Sequence, residues 1–256
     1  MNKKTFLEHF LGEDVNVLSN IYEKINLSDR SGIVTFSNEF LPELLCREIV
    51  KIAESMGVAA EYFGGFDNCD RAMLSFNNFY KTPYPMELIK IKFSIKFQSV
   101  THRDILGVLM SLGIKREKLG DLIIEESYGL VVVHEDIKDY IISNLVKIKN
   151  SSCDIETLSL EECKNFEKTF QEKIEIVSSL RFDSIVSSIC NKSRNYAVNL
   201  INSGSCKINY LDIRDKSKEV KINDVITVRG YGKFKLDEVI SSTRSGRIKV
   251  KIKKYV

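Results

Sequence analysis

The spacing of apolar residues predicts a small mixed unit of helices and strands at the start of the chain. Residues 3–27 carry the three- and four-residue apolar spacing of one or two amphipathic helices. Pro42 suits the first turn of a further helix, where a missing backbone N–H costs nothing. Extended stretches at 58–63 and 71–76 follow, and the unit ends near residue 80.

The middle of the chain predicts a second, more regular unit. Pro83 and Pro85 interrupt regular structure and indicate a boundary. From Ile89 to Phe97 apolar residues alternate with lysine and serine, so we expect a strand with one buried and one basic face. The further predicted elements are a helix at 102–112, strands at 121–125 and 128–134, a helix through 137–148 and a strand at 154–158. This order is that of a ferredoxin-like domain, which the RNA-recognition motif shares.

The last third predicts a helix pair followed by a small sheet. Residues 182–189 place apolar side chains at helical spacing, and Ser193 suits the N-cap of a second helix. Gly204 suits the end of that helix, because glycine tolerates a left-handed backbone. A strand begins at Cys206.

These elements predict an α+β fold class with three small domains. The predicted limits are an N-terminal α/β domain at 1–82, a ferredoxin-like (RRM-like) domain at 83–158, a connector at 159–180 and a basic helix–sheet module at 181–256.

Composition adds that the chain is an ordinary globular protein without a membrane segment. Hydrophobic residues make up 43% and charged residues 29%, and no apolar run approaches the roughly 20 residues of a membrane span. We expect a cytoplasmic, monomeric protein with no membrane contact. The six cysteines lie at least ten residues apart, which favours buried thiols over a disulfide framework or a metal site.

Charge is divided unevenly along the chain. Residues 181–256 hold 17 Lys and Arg against 7 Asp and Glu, whereas residues 1–180 hold 21 against 28. A basic module on an acidic body is typical of a polyanion contact, most often nucleic acid. The alternative is a lysine-rich surface kept for solubility.

The basic module carries a spaced motif that resembles the S-four RNA-binding domain, named after the fourth protein of the small ribosomal subunit. The matching positions are Arg181, Asp183, Ser193, Arg194, Ala197, Leu200, Ile201, Gly204 and Asn209, with a closing segment from Val220 to Val228. Asn223 stands where that family has glycine, and asparagine also tolerates a left-handed turn. The alternative is an unrelated basic helix pair.

The resemblance extends to the YlmH family of bacterial S-four proteins. It is carried by RGYGKFKLDEV at 229–239, TRSGRIKVKI at 243–252, THRDILGVLMSLGIKREKLGDL at 101–122 and GGF before Arg71. The family implies a factor that binds RNA on the large ribosomal subunit, in quality control of subunits obstructed by peptidyl-tRNA. It also implies a link to cell division. The implied partners are ribosomal RNA, the large subunit and, as a further candidate, tRNA.

The site that we expect is one for phosphate and RNA shape, on the polar side of the module. The candidate RNA-binding residues are Arg181, Lys192, Ser193, Arg194, Lys207, Asn209, Arg229 and Lys233. Secondary candidates are Arg103, Lys115, Arg116, Lys249, Lys251 and Lys253. We expect Arg194 to project into solvent beside Ser193. The three alternating lysines of the last strand serve equally well to protect a sheet edge.

Other motifs favour structure over catalysis. Thr101 and Asp104 of THRD predict a capping box. Tyr128 and Leu130 stand where an RNA-recognition motif stacks bases, and we interpret Tyr22, Tyr62 and Tyr80 as packing residues. We expect no catalytic residue, metal or cofactor. An RNA-modifying enzyme with an accessory S-four domain, and an adaptor in cell division that docks through its acidic N-terminal part, remain the alternatives.

Overall fold

The computed structural model describes residues 1–94, 100–166 and 170–255. The chain forms two compact units, residues 1–167 (unit 1) and residues 168–256 (unit 2). Both units combine helices with antiparallel sheets, so the α+β fold class is confirmed. The predicted domain limits within the chain stay a prediction.

Unit 1 begins with three helices packed on a small sheet. These elements are α1 (Lys3–Glu8), α2 (Val15–Ser31), β1 (Thr35–Phe36), β2 (Leu41–Pro42), α3 (Glu43–Ser55), β3 (Ala60–Phe63) and β4 (Arg71–Phe76). Strand β4 pairs antiparallel with β1, β2 and β3. Apolar side chains of the helices and of β4, among them Phe6, Ile21, Ile49 and Phe76, form one buried cluster. Pro42 directly precedes α3, as its place in the sequence predicts.

The second part of unit 1 contains a five-stranded antiparallel sheet. Its elements are β5 (Met86–Phe93), α4 (His102–Ser111), β6 (Leu119–Ile124), β7 (Tyr128–His134), α5 (Glu135–Asn144), β8 (Lys147–Ile148) and β9 (Ser151–Leu158). The strands lie in the order β6-β7-β5-β9-β8. Strands β6, β7, β5 and β9 have the split βαβ arrangement that the order of elements predicts. The predicted continuation of the strand to Ile95 and Phe97 lies outside the described residues.

Strand β5 begins at Met86, three residues before the predicted alternation. Ile89 and Ile91 are buried beneath α4 and α5, as expected. Met86 and Leu88, on the opposite face, are also buried, in a cluster that includes Phe40 from the first part of unit 1. From Lys90 onward the face is basic as expected, with Lys90 half-buried and Lys92 exposed, whereas residues from before Pro83 cover the earlier part of the strand.

Unit 2 is a helix pair on a second five-stranded antiparallel sheet. Its elements are β10 (Phe170–Val177), α6 (Phe182–Cys190), α7 (Arg194–Asn202), β11 (Cys206–Ile208), β12 (Val225–Val228), β13 (Gly232–Ser242) and β14 (Ile248–Tyr255). The strand order is β10-β14-β13-β12-β11. The helices cover one face of the sheet through a core that contains Phe182, Ile201 and Leu236.

Two features of this sheet differ from the expectations. Residues 170–177, expected within a connector, form a strand that pairs with β14 over eight residue pairs. Because β10 and β13 flank β14, the last strand is interior, and the edge-protection interpretation of its lysines is wrong. Sequence alternation indicates that a segment is extended, but it does not tell which strand it pairs with.

The helix caps of unit 2 agree with the predictions. The Ser193 hydroxyl accepts a hydrogen bond from the Tyr196 backbone N–H at 3.2 Å. Gly204 follows α7 with φ 75°, and Asn223 has φ 74°, so both adopt the left-handed conformation. The Arg214 guanidinium donates to the carbonyls of Ile201 and Asn202, where a positive charge complements the carboxyl end of the helix.

The six cysteines are thiols, of which Cys46, Cys163, Cys190 and Cys206 are buried, as expected, and Cys69 and Cys153 are half-buried. None of the described helices combines the length and the apolarity that a bilayer crossing requires.

Candidate nucleic-acid interface

Two arginines and one aspartate form a charged cluster at the start of the two helices of unit 2. Arg181 lies at the N-cap of α6 and Arg194 is the first residue of α7. Both guanidiniums grip Asp183 with two hydrogen bonds each. Nε and Nη2 of Arg194 lie 3.0 Å from the carboxylate oxygens, and those of Arg181 lie 3.2 Å away. The helix pair thus holds two positive side chains at one carboxylate.

Burial and charge both act on this carboxylate. The Asp183 side chain is only 4% exposed, against 39% for Arg181 and 48% for Arg194. Burial alone raises the pKa of Asp183, but the hydrogen bonds from Arg194 and Arg181 outweigh it and hold the pKa below its usual value. Asp183 therefore stays ionised at neutral pH, and the cluster carries one net positive charge.

The arrangement positions the arginines without using all of their donors. A guanidinium has five N–H groups, and a two-bond grip on a carboxylate uses two of them. Three donors on each arginine therefore remain to meet a phosphate. Arg194 is exposed, as predicted, but it does not project freely into solvent beside Ser193. Asp183 fixes it instead.

Two predicted site residues make internal contacts. The Ser193 hydroxyl serves as the cap of α7. The Asn209 amide donates to the Asp224 carboxylate and accepts from the Val225 N–H, both at 2.8 Å, from a backbone with φ 50°. Asn209 thereby fastens the loop before β12, which is a structural role that a family motif does not distinguish from binding.

The face of the sheet opposite the helices is basic. Lys207 on β11 is exposed on this face, because its neighbours Cys206 and Ile208 point into the core. Lys233 on β13 donates to the Tyr210 hydroxyl at 3.1 Å and lies 4.3 Å from the centre of the Tyr255 ring. A cation beside an aromatic ring is a surface that nucleic-acid phosphates and bases both fit.

The lysines of β14 are less available than expected. Lys251 pairs with Glu238 at 3.2 Å, and Lys253 pairs with Asp237 at 3.0 Å. These cross-strand ion pairs stabilise the sheet by modest amounts and lower the local positive charge. Lys249 lies on the same strand.

Sequence reasoning missed a tyrosine pair that joins α7 to the turn before β13. The Tyr231 hydroxyl donates to the Tyr196 hydroxyl at 3.2 Å, and this bond raises the pKa of Tyr231 to about 12. Tyr196 is 39% exposed, and exposed Lys192 and Arg229 lie on the adjoining segments. In the sequence, the one feature that the two tyrosines share is an arginine two residues earlier, and this does not predict that they contact each other.

Candidates in unit 1 are mostly structural. Arg116 donates to the carbonyls of Leu119 and Gly120, at 2.5 and 3.3 Å, so it shapes the turn into β6. Arg103 and Lys115 are exposed. The Thr101–Asp104 capping box is confirmed.

The expected stacking positions of the central sheet are covered. Leu130 is fully buried, in the cluster that also contains Phe40. Tyr128 packs edge-on against Phe166 at 6.5 Å, and Lys90 lies 4.2 Å from its ring centre. The part of the sheet around Leu130 therefore offers no platform for a base.

The two units differ in how many of their basic side chains form ion pairs. In unit 1 many lysines pair with a carboxylate, and the pairs are Lys3–Glu23, Lys51–Glu48, Lys81–Glu61, Lys92–Glu156, Lys118–Asp136, Lys138–Glu87 and Lys149–Asp104. In unit 2 Lys192, Lys207 and Arg229 are exposed, and none of them forms an ion pair within the described part of the chain. These three residues therefore add positive charge to the surface of unit 2, as the exposed Arg103 and Lys115 do in unit 1.

Reactive groups are scarce at this surface. Burial raises the pKa of Cys190 to about 11 and that of Cys206 to about 12, so both thiols stay protonated. Across residues 1–94, 100–166 and 170–255, no three His, Cys, Asp or Glu side chains converge as metal ligands.

Comparison with known proteins supports the resemblance drawn from the sequence. Residues 80–162 match the family described as the putative RNA-binding domain in YlmH. Over 197 residues the chain is 27% identical to "Ribosome-associated protein quality control protein P2" of Bacillus subtilis (strain 168), which covers 75% of this chain and 77% of that protein. The solved structure "Cell division protein ylmH from Streptococcus pneumoniae" is 24% identical, covers 60% of this chain and 96% of its own, and has a TM-score of 0.49.

Proposed function

We propose that this YlmH-like chain is a non-catalytic factor that binds structured RNA of the large ribosomal subunit in ribosome-associated quality control. Unit 2, which we interpret as an S-four module, supplies the RNA contact. The observation that carries the proposal is the arginine pair held on Asp183, together with the exposed Lys192 and Lys207 of the same unit, which form no ion pair in the described part of the chain.

The chemistry of the surface fits an RNA backbone. Ordered guanidiniums recognise phosphate with paired hydrogen bonds, and arginine keeps its charge at any physiological pH. Lys207 and Lys233 add positive charge on the open face of the sheet. Tyr196 and Tyr231 add aromatic area on which an unpaired base stacks.

Two comparisons support this role within a cell. Residues 80–162 match a domain family whose description is RNA binding, and the Bacillus relative is named for ribosome-associated quality control. We extend both to this chain as part of the proposal.

Binding to large-subunit ribosomal RNA over a series of salt concentrations tests the proposal. The variant Arg194→Ala with Lys207→Ala removes two charges from unit 2, and Lys92→Ala with Lys118→Ala removes two charges from unit 1. We expect the first variant to bind RNA more weakly than the wild type. The slope of log affinity against log salt concentration should fall by about two, because two fewer phosphates are neutralised and two fewer counterions are released. The second variant serves as the charge-matched control.

Two results contradict the proposal. One is an equal loss of RNA affinity in both variants, which would show that binding depends on net charge alone. The other is an unbound wild-type protein in gradients of large subunits at low salt.

A further inference from the structure

A short loop in unit 1 presents two aromatic side chains to solvent. Tyr80 is 96% exposed and Phe79 is 69% exposed, although the sequence suggests that Tyr80 is a packing residue. Lys81 follows them and pairs with Glu61 at 2.8 Å, so the neighbouring charge is neutralised. Neighbouring exposed aromatic side chains are unusual unless a partner covers them.

Hydrogen bonds of two asparagines make this loop rigid. The Asn78 side chain is buried; its oxygen accepts from the Thr82 N–H at 2.7 Å and its nitrogen donates to the Thr82 carbonyl at 3.0 Å. The neighbouring Asn77 side chain accepts from the Ala59 N–H at 3.2 Å and donates to the Ser28 carbonyl at 3.0 Å. The backbone that carries the two aromatic residues is thus held in place before any partner arrives, which reduces the entropy lost on binding.

The surroundings favour a protein partner over RNA. Residues 1–167 contain 19 Lys and Arg against 26 Asp and Glu, and the lysines of unit 1 largely pair with carboxylates. A net negative unit repels a phosphate backbone, but it attracts a basic protein surface. Rigid tyrosine and phenylalanine side chains are typical anchors of protein interfaces.

We infer that Phe79 and Tyr80 dock unit 1 onto a basic protein of the large ribosomal subunit. This inference rests on the proposed function, since that function brings the chain to the subunit. Proteins that neutralise ribosomal RNA carry an excess of lysine and arginine, which complements the charge of unit 1. Unit 2 then contacts RNA, and the loop that carries Phe79 and Tyr80 contacts protein.

The test compares binding to purified large subunits with binding to protein-free RNA from the same subunits. In the full chain, Phe79→Ala with Tyr80→Ala is expected to weaken binding to intact subunits at least about tenfold and to leave RNA binding unchanged. Phe79→Tyr with Tyr80→Phe keeps the aromatic area and is expected to bind as the wild type does. Lys81→Ala tests the adjacent charge and is expected to have little effect.

Two other outcomes overturn the inference, and a third overturns only the proposed function. Equal loss on subunits and on naked RNA assigns the loop to RNA, and no loss on subunits removes the docking role. Both results overturn the inference. If the wild type binds subunits through Phe79 and Tyr80 but binds no naked RNA, the inference stands and the proposed function fails. Thermal melting confirms that the exposed substitutions leave the fold intact.

Discussion

Replacing Asp183 with asparagine distinguishes two explanations of RNA binding by unit 2. The change removes a negative charge, so the net charge of the chain rises from +3 to +4. If RNA binding depends on total charge, affinity must increase. If it depends on ordered arginines, affinity must fall, because Arg181 and Arg194 lose the carboxylate that positions both of them.

The structure also sets the cost in stability. At about 4 Å and an effective dielectric constant of about 20, an arginine–carboxylate pair is worth about 4 kcal/mol. The arginines are 39% and 48% exposed, so water screens each pair and replaces part of what is lost. We therefore expect Asp183→Asn to lower the free energy of unfolding by about 2–3 kcal/mol, below the usual cost of breaking a fully buried pair. Arg194→Ala leaves Asp183 with one partner and is expected to cost about 1 kcal/mol.

Denaturant unfolding and RNA titration of the same variants provide the measurement. We expect Asp183→Asn to remain folded in water and to bind large-subunit RNA about tenfold more weakly, which corresponds to the loss of one charged contact. A double-mutant cycle of Asp183→Asn with Arg194→Ala should show coupling in both stability and binding, because the two side chains touch. A folded Asp183→Asn variant that binds RNA more tightly would refute the role of Asp183.

Acid adds an independent readout for Asp183. Its pKa is lowered in the folded protein, so its contribution to stability is present above the ordinary carboxyl pKa of about 4 and is lost as the pH falls below that value. Asp183→Asn should therefore flatten the fall of stability with acid. Equal acid sensitivity of the variant and the wild type would contradict the ion-pair assignment.

Three further predictions concern other parts of the chain. Hydrogen bonds from Lys149 and Thr101 overcome the effect of burial and lower the pKa of Asp104 to about 2, so Asp104→Asn should reduce the loss of stability between pH 4 and pH 2 in denaturant titrations. Gly204→Ala should cost about 1–2 kcal/mol by chemical denaturation, because φ is 75° and an added Cβ would lie 2.4 Å from the Arg214 guanidinium. Lys207→Ala should lower the salt slope of RNA binding by about one and change stability by no more than about 0.5 kcal/mol, and an unchanged slope would remove Lys207 from the interface.

Local elements could be predicted from the sequence because their signals are local. Helices α6 and α7 follow from apolar spacing, with Ser193 as a cap and Gly204 as a stop. The Thr101–Asp104 capping box follows from two residues three positions apart. Each of these depends on contacts within a few residues, which the order of residues contains directly.

Pairing between distant segments could not be predicted in this way. Alternating apolar residues in KIEIV at 173–177 indicate an extended segment, but the pairing of 170–177 with β14, some eighty residues away, makes it part of the sheet. The same pairing moves Lys251 and Lys253 from an expected edge to an interior strand. The cover over Met86 and Leu88 comes from residues before Pro83, and nothing in the period-two pattern reveals it.

The candidate site shows why residue type alone does not separate binding from structure. Arg116 and Arg214 donate to backbone carbonyls, whereas Arg181 and Arg194 hold one carboxylate and keep donors in reserve. All four arginines lie in basic or turn-rich segments. Only the group that each guanidinium contacts distinguishes a structural arginine from a candidate binding residue. An arginine whose donors are used by its own backbone stabilises a fold. An arginine that a buried carboxylate orients, and whose remaining donors face water, is prepared for an anion from outside. Asp183 is therefore the residue through which the fold of unit 2 positions its proposed RNA contact.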